Sequence, residues 1–248
     1  MQINWGEFDI ADGGEVSCSV GDLHLRIVLS NRTYRIHVDG GPARSAGVVG
    51  WHDAHIPAAG RVRIEPATPD LPVVLRPSIP IALSCGEAVH YRILLPLWIR
   101  VAVDDAAPGC RREILFDLPS RTLKRTWFGA AEGGEIAYVG AFDPQSREAY
   151  QRHQCVVPVT IRNGSDSVLW FERFLLRVIH LDLYRMGPCV ESNGVTVAFK
   201  GREQLSQISF EAAKTTIERG GVPLTTSRIP AGSDIIRKSF LWLKSLAG

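Results

Sequence analysis

Short apolar runs that alternate with polar residues, each cut off by turn-forming residues, limit what this chain can fold into. Leu23, Leu25, Ile27 and Leu29 alternate with His24, Arg26 and Val28. After Ser30-Asn31-Arg32, Tyr34, Ile36 and Val38 alternate with Arg35 and His37 as far as Asp39-Gly40-Gly41. A two-residue period is that of a strand with one buried face, and two such runs joined by a tight polar link predict a hairpin. Similar runs recur at Val62–Ile64, Val73–Leu75, Ile79–Leu83, Val89–Val103, Glu135–Val139, Val156–Arg162, Val195–Phe199 and Leu205–Phe210. Many short strands at regular spacing predict an all-β chain built as two consecutive sandwich-like halves. No long helical period separates them, which argues against a doubly wound α/β sheet.

Trp170 to Arg185 carries both periods. Phe171, Phe174, Leu175 and Val178 have helical spacing, but Ile179 to Tyr184 alternates, and Asn163-Gly164-Ser165-Asp166 before it is strong turn chemistry. We read it as strand. A helix is expected at the C-terminus, residues 233–248, capped by Ser233 or Asp234 and running to about Leu246. Arg237, Lys238 and Lys244 accompany the apolar Phe240, Leu241, Trp242 and Leu243, so these four form the expected interaction surface for a partner or for self-association. A boundary is expected near Asp104-Asp105-Ala106-Ala107-Pro108-Gly109, dividing the chain into 1–105, 106–232 and the tail. There the charge changes sign: residues 1–105 carry 9 basic and 12 acidic side chains, and residues 106–248 carry 19 and 14.

These features exclude several classes. The longest apolar run, Ile93 to Ile99, is interrupted by Pro96 and flanked by Arg92 and Arg100. A spanning helix needs about 20 apolar residues, so no transmembrane segment is expected. The start at Met1-Gln2-Ile3-Asn4 lacks the features of a signal peptide, and a cytoplasmic location is expected. The net charge of +2 is too small for a nucleic-acid footprint. Cys18, Cys85, Cys110, Cys155 and Cys189 are odd in number and contain no C-x-x-C pair, which removes support for a zinc knuckle, a thioredoxin-type site or a disulfide framework. No cofactor is expected.

Three stretches resemble a known family. The first is Phe116-Asp117-Leu118-Pro119, Thr126-Trp127-Phe128-Gly129 and Gly133-Gly134-Glu135-Ile136-Ala137-Tyr138. The second is Val159-Thr160-Ile161-Arg162-Asn163 with Phe171–Tyr184. The third is Val73–Val103, punctuated by Pro77, Pro80 and Pro96. Together they resemble the Domain of Unknown Function 432 family of archaea and some bacteria, over residues 5 to roughly 230. The resemblance implies no catalytic residues. It implies an accessory or sensing role beside a membrane channel, since related domains accompany mechanosensitive-channel domains.

Two clusters bear site chemistry. His52, Asp53 and His55 place two imidazoles and a carboxylate within four residues, a partial ligand set for Zn²⁺ or a similar ion and the basis of an alternative reading as a metal-dependent enzyme. Pro57 and the Gly47–Gly50 region predict that this cluster lies in a loop, and a third ligand would have to come from His37 or Asp39. Arg121, Lys124 and Arg125 precede Trp127 and Gly133-Gly134. Guanidinium forks beside an aromatic ring suit a phosphate or carboxylate ligand, although no Walker or G-x-G-x-x-G pattern is present. Nucleophilic catalysis has little support: no serine has a G-x-S-x-G context, and Cys155 is only two residues from His153. His180 reads as a core histidine. The leading expectation is a non-enzymatic module that binds another protein or a small anion, with peripheral membrane contact a lesser alternative for its tail.

Overall fold

A computed structural model describes residues 5–8, 10, 12–31, 33–55, 61–104, 113–129, 131–144, 149–201, 206–230, 235–237 and 240–241. In chain order the strands begin with β1 (Gly6–Phe8), β2 (Glu15–Val20), β3 (Leu23–Ser30) and β4 (Thr33–Gly40). A short helix, α1 (Gly41–Ala46), leads to β5 (Gly50–His55) and β6 (Arg61–Ala67). Then come β7 (Val73–Pro77), β8 (Ile81–Leu83), β9 (Ala88–Pro96), β10 (Trp98–Asp104) and β11 (Glu113–Pro119). They are followed by β12 (Arg125–Phe128), β13 (Glu135–Phe142), β14 (Gln154–Asn163), β15 (Leu169–Phe171) and β16 (Arg173–Leu176). After a 3-10 turn at Val178–His180 come β17 (Leu183–Met186), β18 (Cys189–Ser192), β19 (Val195–Phe199) and β20 (Ser206–Phe210). A second short helix, α2 (Ala213–Glu218), precedes β21 (Val222–Thr225), β22 (Ile235–Arg237) and β23 (Phe240–Leu241). The expected all-β class is what the chain adopts, and no described helix is long and apolar enough to cross a membrane.

The chain forms two compact units, each drawn from two stretches of sequence: Met1–Ala67 with Pro96–Thr122, and Thr68–Leu95 with Leu123–Gly248. Of the stretch expected to hold the boundary, Asp104 to Gly109, Asp104 ends β10 and residues 105–109 lie outside the described residues. The strands on either side of it, β10 and β11, pair with each other inside the first unit.

The first unit has two antiparallel four-stranded sheets, in the orders β1-β6-β10-β11 and β2-β3-β4-β5. One core serves both: Leu25, Ile27, Ile36 and Val38 come from one sheet, and Val62, Ile64, Ile99 and Val101 from the other. The predicted hairpin is β3–β4, in register from Leu23↔Gly40 to Ser30↔Thr33, with Asn31 in the left-handed region at the turn (φ 51). At the other end of β4 the backbone passes so close to β3 that a Cβ on Gly40 would sit 1.9 Å from the Asp22 carbonyl oxygen. Gly40 also has φ 117, so a side chain there is excluded twice over.

The second unit has a five-stranded sheet, β12-β13-β7-β16-β23, and an eight-stranded one, β21-β17-β18-β14-β19-β20-β22 with β9 beside β14; β15 and β8 form a separate pair. Both large sheets are mixed, since β13 runs parallel to β7 and β14 runs parallel to β18 and β19. The Trp170–Arg185 segment is mostly extended, as read, with the 3-10 turn in its middle. The described residues of the stretch expected as a C-terminal helix, 233–248, are strands instead. The helix near the end of the chain is α2, while Ile235–Arg237 pairs with β20 and Phe240–Leu241 pairs with β16. Sheet edges offered by β20 and β16 satisfy backbone groups that an isolated helix of about 13 residues would hold only marginally, and Ile235-Ile236 are β-branched.

Asn163 fastens the end of β14. Its backbone N–H donates to the Glu87 carbonyl at 2.8 Å, and its carbonyl accepts from the Gly86 N–H at 2.9 Å. The fully buried side-chain amide donates to the carbonyls of Leu83 (3.0 Å), Ser84 (3.2 Å) and Ser167 (2.7 Å). Its Oδ1 accepts from the N–H and hydroxyl of Ser165, at 3.0 and 2.7 Å. Asn163→Ala leaves buried carbonyls without donors and is expected to lower unfolding stability by about 3 kcal/mol in urea titrations. Asn163→Asp, similar in shape but unable to donate when ionised, should be no less costly at pH 7. A loss below about 0.5 kcal/mol for either variant would show that water replaces the amide.

Candidate anion-binding face

The β2-β3-β4-β5 sheet buries one face and presents the other. Along β3 the burial alternates, with Leu23, Leu25 and Ile27 inward and His24 and Arg26 outward. Outward residues of neighbouring strands therefore stand in rows. Ser19, His24 and Asp39 form one row, and Ser17, Arg26, His37 and Trp51 the next; a third contains Glu15, Val28, Arg35 and Asp53. The first two rows border a depression of about 380 Å³ lined by Ser17, Cys18, Ser19, His24, Leu25, Arg26 and His37.

The polar atoms there are tied to one another. Ser19 Oγ lies 2.8 Å from His24 Nδ1, with the proton position set by the tautomer. Arg26 donates to Glu15 at 2.6 Å, and the Ser17 hydroxyl donates to the other oxygen of the same carboxylate at 3.1 Å. The hydrogen bond from Arg26, the largest influence, holds the Glu15 carboxyl below its ordinary value, and Glu15 raises the guanidinium in turn. Asp39 is also held low, chiefly by the N–H of Gly40, which donates to it at 2.6 Å; Arg44 adds a longer contact at 3.5 Å. Trp51, 43% exposed, has the Arg35 and Arg26 guanidiniums 5.1 and 5.7 Å from its ring centre, and the His37 ring at 5.0 Å.

His52, Asp53 and His55 lie on β5, a strand rather than the loop suggested by the flanking Gly and Pro residues. Successive strand residues point to opposite faces. The His52 ring meets Phe116 edge-on at 4.9 Å, and its Nε2 lies 2.8 Å from the Val48 carbonyl oxygen. Asp53 accepts from Arg35 at 3.1 Å on the outer face. His52 and Asp53 are thus separated. No group of three or more His, Cys, Asp or Glu able to hold a metal ion is found among the described residues.

The Arg121–Trp127 cluster is divided. Arg121 belongs to the first unit and faces Asp22 at 3.7 Å, whereas Lys124, Arg125 and Trp127 belong to the second. There Arg125 lies over the Tyr138 ring at 5.9 Å, and Trp127 stands opposite Ile136, the two 48% and 51% exposed. Of the expected interaction residues, Phe240 and Leu241 form β23, and Trp242 and Leu243 lie outside the described residues. His180 ends the 3-10 turn, against Phe210 and 3.0 Å from the Ile229 carbonyl oxygen.

The Ser17, Ser19, His24, Arg26 and His37 constellation is not legible as a unit in the sequence, where His24 and Arg26 read as the polar positions of a hairpin and His37 as a possible third metal ligand. The available signal was their period: outward positions in a hairpin filled by imidazoles and a guanidinium in place of Lys, Glu or Thr.

Cys155 is unsuited to nucleophilic chemistry, because burial pushes its thiol up to about 12. It should resist iodoacetamide at pH 8 in native protein, while the exposed Cys85 reacts, as read by peptide mass spectrometry. Equal rates at the two cysteines would restore Cys155 and His153 as a candidate dyad.

No curated protein and no solved structure matches this chain. A family model matches residues 4–244, nearly the whole length and including the face described above. The chain therefore belongs to the family described as protein of unknown function DUF432.

Proposed function

We propose that this protein is a non-enzymatic binding module whose first unit takes a small anion on the outer face of β2–β5. One observation carries the reading: two serine hydroxyls, two imidazoles and a guanidinium converge on a single depression of about 380 Å³. Hydroxyl, imidazole and guanidinium groups are all donors to an anion, and Arg in particular presents a planar fork to phosphate or carboxylate. The site is also of a size for a small molecule. Glu15, Asp39 and Asp53 share the face with Arg26 and Arg35, so it is not the extended positive stripe that a nucleic acid requires. A cytoplasmic setting suits the chain, because Cys18, Cys85, Cys155 and Cys189 are free thiols.

A second reading, contact with a protein, is favoured by Trp127 and Ile136. They are exposed cross-strand neighbours, and β12 is the edge of its sheet. If the contact is with a second copy, Trp127→Ser should reduce the association constant seen by sedimentation. An unchanged monomer at all concentrations would remove self-association.

The anion reading is tested by isothermal titration with sodium sulfate at pH 6. One saturable site per chain is expected, weakened at least about tenfold, or 1.4 kcal/mol, by Arg26→Gln with an unchanged circular dichroism spectrum. No saturable heat in the native protein, or equal affinity in the variant, would remove this face from the proposal.

A further inference from the structure

We propose that the anion taken by this face is a phosphate-type dianion and that its capture is coupled to protonation of His24 and His37. The inference rests on the anion reading and adds to it a ligand class and a control. The outer face carries the carboxylates of Glu15, Asp39 and Asp53 and the guanidiniums of Arg26 and Arg35, and Arg44 of α1 reaches Asp39. Among the described residues, three acids are thus matched by three bases. Asp22, at the turn before β3, is engaged separately by Arg121. With neutral imidazoles the face has no net attraction for an anion. Two imidazolium groups make it doubly positive.

Ser19 and Asp39 flank His24 across its two neighbouring strands, while Arg26 and Trp51 flank His37, which also interacts electrostatically with Asp39. Both nearby carboxylates, Glu15 and Asp39, are held low by their hydrogen bonds and stay ionised through the neutral range. Imidazole is the side chain whose ordinary charge change falls between pH 5 and 8, and His24 and His37 are the two imidazoles that line the depression.

The Ser19–His24 contact converts that charge into hydrogen-bond direction. When Nδ1 of His24 is unprotonated, it accepts the Ser19 hydroxyl proton and the serine has none to offer a ligand. When the ring is an imidazolium, Nδ1–H donates to Ser19 Oγ at the same 2.8 Å, and the hydroxyl proton turns outward. For a neutral ring that carries its proton on Nε2, one added proton therefore supplies both a positive charge and a freed donor. A dianion is specified because the ligand must compete with Glu15, already 2.6 Å from Arg26, and a single negative charge brings no advantage over that carboxylate.

Sulfate is the probe, because it stays dianionic from pH 5.5 to 8.0, so that any change in affinity comes from the protein. The full chain is titrated calorimetrically with sodium sulfate at both pH values, at fixed ionic strength and in two buffers of different ionisation heat. Binding about tenfold or more tighter at pH 5.5, with uptake of about one to two protons, is expected. Sodium acetate should bind at least about tenfold more weakly than sulfate at pH 5.5. The variant carrying His24→Gln and His37→Gln should show the same sulfate affinity at both pH values. Equal affinity in the native protein without proton uptake, or a pH dependence that survives in the double variant, overturns the coupling and leaves the anion reading standing. Acetate binding as tight as sulfate overturns the dianion. No saturable sulfate binding overturns both readings.

Discussion

Burial of one face of the β2–β5 sheet is the constraint on which the candidate site depends. Leu23, Leu25, Ile27, Ile36 and Val38 are nearly inaccessible to water, and the sheet β1-β6-β10-β11 supplies the residues that meet them. Each fully buried aliphatic side chain stabilises the fold by roughly 1.5–3 kcal/mol, so the inward register is not negotiable. A slip of one residue would expose the entire apolar set. The same register forces His24, Arg26, His37 and the β2 serines outward together. The site is thus a by-product of core formation: the residues that hold the sheet in place and those that face a ligand are interleaved along one backbone.

The second unit spends its polar groups differently. Asn163 satisfies backbone carbonyls at the end of β14, and Arg177, 6% exposed, makes two contacts to Glu135 at 2.8 and 2.5 Å. The buried Glu191 carboxylate accepts from Arg92 at 2.9 Å and has Arg219 at 3.8 Å; Arg219 reaches on to Glu211 at 2.7 Å. In these clusters a buried member, Asn163, Arg177 or Glu191, finds protein partners, some of them reaching in from the surface as Arg92 and Arg219 do, which is how buried polar groups escape the cost of lost hydration. On the outer face of the first unit the matching is between exposed groups, where solvent weakens each pair and an incoming ligand can replace one partner.

Alternation alone made most of the fold legible. The β3–β4 hairpin followed from two runs and a polar link, and β14 and β19 lie where their apolar spacing put them. Where a terminal helix is expected, Ile235–Arg237 and Phe240–Leu241 are strands, because the apolar set around Phe240 fits a helical face on paper while the backbone finds sheet edges at β16 and β20. Parallel pairing, as between β14 and β19, joins residues more than thirty positions apart and leaves no local trace. The His52–His55 cluster was legible as chemistry but not as geometry. Once β5 is a strand against β4, His52 faces Phe116 and Asp53 faces Arg35, and the two no longer serve one ion.

The sequence by itself determined the all-β class, the hairpin, the family and the types of residue available for binding, because these depend on local period, turn chemistry and composition. Tertiary structure decided which of those residues stand together. Ser19, His24 and Asp39 are neighbours only through cross-strand register, which is fixed by burial of the other face. Arg121 and Arg125 fall in different compact units, at a point in the chain that no shift in composition marks.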